Sequence, residues 1–253
     1  MRSQPMVLVA AILAVIAGLF VLNRGNGHAE RVPEQVAHTS PGGSPLDAVL
    51  TADQRARFER ATSTLSLVAY AEALPVKRAK ALAAGACADL DTSVPLLAAL
   101  EQTCEPTVNL RVVSMKLRRT CASGDDDCGD NVRARARAQR RVAQADRVYA
   151  RAVRRAVPKG ECREALAPTH DFVAAEFGYA RAFDRMADAM DEDDDAALEE
   201  ARRTAGKHDE VITDGLVWHR TRDMAEACNL EPWAFEAPAS VGGAAIAAAG
   251  SSS

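Results

Sequence analysis

The sequence predicts an all-α fold: a disulfide-stapled antiparallel helical bundle behind an N-terminal single transmembrane helix. Three observations predict it. An uninterrupted apolar run, "MVLVAAILAVIAGLFVL" from Met6 to Leu22, opens the chain, and all six cysteines come after it. The remainder is rich in alanine and only 4% of the chain is aromatic, a composition that packs helices closely and builds sheets poorly. The length of 253 residues, 48% of them apolar, suits one globular domain with appendages better than two large domains. A net charge of −4 gives no global pull towards polyanions, so any statement about partners has to come from how charge is distributed.

The apolar run comes first. As a helix rising about 1.5 Å per residue it lies near the short end of what spans a bilayer core. A cleaved signal peptide ending near Ala29 is the competing reading, but the run exceeds the usual apolar stretch of such peptides, so residues 1–24 are taken as a membrane anchor. Residues 25–44 are polar and rich in Gly, Pro and Ser, which makes them a flexible tether, and His28 and His38 within it are solvated. Residues 237–253 form a low-complexity tail with little to pack. The folded domain is therefore expected over 45–236.

Six cysteines behind an export signal imply disulfides in an oxidising compartment. No pair has the Cys-x-x-Cys spacing of a zinc knuckle and no histidine lies a few residues from a cysteine. Cys121 and Cys128 flank "ASGDDD", whose Ser123 and Gly124 break the helical pattern, so a bond between them staples a helix-helix turn, with Asp130 capping the next helix. Cys162 and Cys228 fall at the open end of a later hairpin. Cys87 and Cys104 remain, at the ends of adjacent helices.

Within the domain, Thr51 and Gln54 form a capping box before a helix that Pro75 interrupts. The surrounding "LTADQ" resembles the LTxxQ motif of periplasmic stress chaperones of the Spy and CpxP type, which are likewise exported and helical. The resemblance spans five residues and occurs once, and the cap already accounts for Thr and Gln at this spacing. Further helices are expected over Val76–Cys87 and Val94–Cys104. "PTVNLRVVSMKLRRTC" mixes strand-like and helix-like periodicity and is assigned to helix because no partner strand is evident. The next helix, carrying Val142, Ala145, Tyr149, Ala152 and Ala156 on one face, ends at Pro158 and Gly160.

That helix is strongly basic, whereas Asp171–Glu200 is strongly acidic. Opposite blocks on neighbouring helices are expected to compensate one another in large part. The remaining reading, a surface for an anionic envelope partner, stays open, and nucleic acid is disfavoured by the compartment. Neither "DDDCGDN" nor "DEDDDAALEE" has the spacing of a calcium loop.

The last two helices form a hairpin turning near Asp194. Phe172, Tyr179 and Met186 share one stripe with Glu176, Phe183 and Met190 beside it. His208 and His219 are too far apart along one helix to share an ion, but the hairpin would set His170 level with His219 and Glu176 near Asp214. His170, His219 and Glu176 are thus the candidate metal or acid-base group. No hydrolase, zincin or phosphate-loop motif accompanies them, and no cofactor is expected. The expectation is a non-catalytic interaction or assembly module on the outer side of a bacterial-type inner membrane, held by its single N-terminal helix and facing an envelope protein or polymer. A small metal-binding or hydrolytic domain is the alternative.

Overall fold

The structure is a computed structural model that describes residues 43–70, 74–123, 127–214 and 225–230. Every regular element among them is helical. A short 3-10 turn over Pro45–Ala48 leads into α1 (Ala52–Tyr70), α2 (Val76–Ala88), α3 (Pro95–Ser123), α4 (Cys128–Ala156), the short α5 (Glu161–Leu166), α6 (His170–Asp191) and α7 (Asp195–Asp214). The apolar run Met6–Leu22 lies outside the described residues, and among those described no helix is long and apolar enough to cross a membrane.

The capping box forms in both directions. The Thr51 N–H donates to Gln54 Oε1 at 3.0 Å and the Gln54 N–H donates to Thr51 Oγ1 at 3.3 Å. Gln54 Nε2 also donates to Asp91 Oδ2 at 2.9 Å, fastening the start of α1 to the loop before α3. Ser93 and Gln54 together hold the Asp91 carboxyl below its ordinary range.

Two helices expected on either side of Pro106 are one, since α3 runs for 29 residues with Pro106 inside it. An internal proline removes one backbone hydrogen bond and costs about 3 kcal/mol. Burial on both sides outweighs that: Leu96, Leu97 and Leu100 enter the main core, while Leu117 and Cys121 enter a second one. Asp130 does not cap α4 either. The helix begins at Cys128, which places Asp130 in its first turn, where its charge still favours the positive end of the helix dipole.

Three cystines staple the bundle in the pairing set out above: Cys87–Cys104, Cys121–Cys128 and Cys162–Cys228. Cys121–Cys128 closes the α3–α4 turn with a Cα–Cα distance of 5.0 Å. α4 then packs between α3 and α6, and α6 packs on α7, each pair antiparallel because a short connection reverses the chain. The α6–α7 reversal is capped by Asp194, whose Oδ1 accepts from the N–H groups of Ala196 and Ala197 at 3.0 and 2.9 Å. Asp193 before it takes φ 54°, a left-handed conformation that Asp tolerates better than most side chains.

The two ends of the bundle differ. At one, Leu46, Leu50 and Phe58 share a core with Tyr149, Val153 and Val157 at the end of α4 and with Cys162, Leu166, Cys228 and Leu230. Ser44 Oγ donates to the carbonyl of Cys228 there, so the beginning and the end of the described domain meet beside α5. At the other end, Cys121, Cys128, Val132 and Ala187 form a smaller core. With 29 residues in α4, about 43 Å separates the two.

Candidate functional site

α4 sits at the middle of the bundle, and its arginines divide by the direction in which helical periodicity points them. Those towards α6 are matched. Arg133 Nη2 donates to Asp188 Oδ1 at 3.0 Å and to Asp191 Oδ2 at 2.5 Å, which raises the Arg133 pKa. About two turns further on, Arg140 pairs with Asp184. The acidic face of α6 thus meets α4 in antiparallel register.

Between these two ties lies a polar centre that sequence reasoning missed. Arg135 Nη1 donates to Gln139 Oε1 at 2.7 Å, and Gln139 Nε2 donates to Glu176 Oε1 at 3.2 Å. Gln139 and Glu176 are buried. The Arg135 guanidinium carbon lies 5.6 Å from the Tyr179 ring centroid and 5.5 Å from that of Phe183, close enough for cation-π attraction to both. Arg135 is half-buried as a residue, but its charged group is the enclosed part. Burial lowers its pKa against the opposing fields of Tyr179, Asp209 and Glu176, and arginine stays charged regardless. The same burial raises Tyr179 and Asp209. One signal was readable: Arg135 and Gln139 stand one turn apart among alanines, so they share a face of α4.

His208 of α7 closes this seam by lying on Gly178 of α6. A Cβ at Gly178 would come within 2.3 Å of the imidazole, so a residue without a side chain lets the two helices approach. Burial, with Arg181 adding to it, lowers the His208 pKa.

Of the candidate metal group, Glu176 and His170 are described and are not brought together. His170 begins α6 with its side chain 92% exposed and 3.5 Å from Asp171. Glu176 is 3% exposed. Six positions along a helix place them about 120° and about 9 Å apart. His219 lies outside the described residues, and the Asp214 side chain is likewise not described. Among the described residues no three His, Cys, Asp or Glu side chains are placed to hold a metal.

The outer face of α4 is different in kind. Arg137, Arg141, Arg151 and Arg155 are exposed and fall within about 80° of one another around the helix, over about 27 Å of its length. Among the described residues no ion pair reaches any of the four. Arg147 and Arg154 border them, the first donating to Gln144 and lying 5.5 Å from the Phe177 ring centroid, the second donating to the Pro168 carbonyl at 3.0 Å. Lys159 continues the row past the helix end. No family model, curated protein or solved structure matches the chain.

Proposed function

We propose that the protein is a membrane-tethered, extracytoplasmic interaction module of a bacterial-type envelope, non-catalytic, that meets an anionic partner through the outer face of α4. One observation carries this reading. Arg133 and Arg140 are spent on α6, whereas Arg137, Arg141, Arg151 and Arg155 stand in a row with no described carboxylate paired to them. Four like charges on one helix face repel one another, and a partner of opposite sign relieves that cost. The α3 and α6 contacts hold α4 from behind, and three cystines stiffen the scaffold, so little conformational freedom is lost on binding. Six paired cysteines and the apolar run Met6–Leu22 support the compartment.

The test is retention of anionic envelope material by the full-length protein, compared with a variant carrying Gln at 137, 141, 151 and 155. Salt-sensitive retention by the parent and its loss in a variant with an unchanged unfolding midpoint support the reading. Equal retention by both removes α4 as the binding face.

A further inference from the structure

We infer that the anionic partner is the headgroup plane of the membrane itself, met by the C-terminal end of α4. This rests on the reading of Met6–Leu22 as an anchor, and it turns on where the tether joins the domain. Ser44 donates to the Cys228 carbonyl, and Cys228 is bonded to Cys162, six positions beyond the last residue of α4. The chain therefore arrives from the membrane beside Arg151, Arg155 and Lys159. If residues 25–44 behave as the coil that their Gly, Pro and Ser content predicts, some twenty residues have a root-mean-square span of about 25 Å, which would keep that end of the domain close to the bilayer.

Charge is distributed along the bundle to suit this placement. Between Arg147 and Glu164 six cations stand against two carboxylates, and Glu164 is shared with Arg163 at 3.8 Å. Between Asp184 and Glu200, at the far end, the chain carries nine carboxylates and one cation; Arg133, Arg140, Arg202 and Arg203 pair with five of the nine, and the tip stays acidic. With its C-terminal end towards the surface, α4 brings Arg151, Arg155 and Lys159 into the field of an anionic bilayer and leaves Arg137 and Arg141 about 20 Å or more further out, while the acidic tip lies about 40 Å away, several screening lengths outside it. The reverse orientation is opposed both by repulsion and by the point of attachment. A soluble polymer would gain nothing from the basic end lying beside the tether, whereas a membrane surface does.

The experiment uses full-length protein in vesicles, with p-benzoylphenylalanine replacing either Glu161, exposed beside the basic end, or Glu192, exposed at the acidic tip. Irradiation should label lipid from position 161 and not from 192 when the vesicles contain anionic phosphatidylglycerol. In pure phosphatidylcholine, or with R151Q, R155Q and K159Q together, the label should fall at least about tenfold, as three charges near an anionic surface imply. Equal labelling in both lipids, or labelling from 192, overturns the proposal. Equal labelling together with salt-sensitive capture of an anionic envelope polymer puts the polymer in the lipid's place. The anchor is judged separately, because a chain that fails to float with neutral vesicles has none. In that case flotation with anionic vesicles alone still supports docking, and flotation with neither overturns it.

Discussion

The imidazole of His208 lies directly on Gly178, and this contact sets how closely α7 approaches α6. Replacing Gly178 with Ala puts a methyl group where the ring is, and overpacking of this kind costs about 1–3 kcal/mol. Alanine also gains about 1 kcal/mol of helix propensity over glycine, so the sign depends on the ring. Gly178→Ala should destabilise the parent protein by about 1 kcal/mol and should be neutral or stabilising once His208 is Ala. Urea unfolding of the four members of this cycle measures the coupling, and additive effects would place the ring elsewhere.

The same histidine gives stability a pH dependence. Its folded pKa is lowered below 6.5, chiefly by burial, so the unfolded chain binds the proton more readily. The contribution is present above about pH 6.5 and is lost as pH falls through the lower, folded value. His208→Gln should therefore flatten the unfolding midpoint between about pH 7 and pH 5 relative to the parent. A parent profile already flat across that window would count against a desolvated His208.

Asp209 works in the opposite direction. Burial raises its pKa above 3.8 despite the nearby Arg135, so the fold favours the protonated acid and carries an uncompensated cost while the carboxylate is ionised. Asp209→Asn should raise the unfolding midpoint at pH 7, and the advantage should shrink as pH falls through the raised pKa and disappear below about pH 4. A loss of stability at pH 7 would mean that attraction to the Arg135 charge outweighs burial.

Loop length ranks the cystines. Cys162–Cys228 spans 66 positions and Cys121–Cys128 spans 7. Chain entropy assigns them about 4 and about 2 kcal/mol. Changing each pair to Ala and following urea unfolding should show the larger loss for 162 and 228, together with weaker protection of Ser44 and its neighbours from hydrogen exchange. The reverse order would mean that the α3–α4 turn nucleates the bundle.

The arginines of α4 separate into two groups by stability. Arg140→Gln breaks a partly exposed pair with Asp184 and should cost about 1 kcal/mol or less, shrinking in high salt. Arg133→Gln should act in the same direction. Changing Arg141 or Arg151 should leave the midpoint where it is. A clear loss from either of these outer positions would show that the row is used within the fold.

Local physics made much of the bundle legible in advance. Thr51 and Gln54 announce a cap because the reciprocal hydrogen bonds need only residues three apart, and Asp194 marks the hairpin because consecutive acidic residues neither bury nor extend an apolar stripe. Cysteine count and position fixed which bonds were reasonable. Pro106 misled, since its local cost suggests a boundary, and only the burial of Leu96 and Leu117 on either side decides that α3 runs through. The metal group was legible only as a register between helices. That register depends on rotation about each axis, which placed His170 in solvent and Glu176 against Gln139. The sequence by itself determined the helical class, the staples, the apolar run and the presence of opposite charge blocks, all of which follow from composition and short-range spacing. Which arginines are matched, which stand in an open row, and that the basic end lies beside Ser44 were decided by tertiary structure alone. These are relations between residues distant along the chain, and packing brings them together.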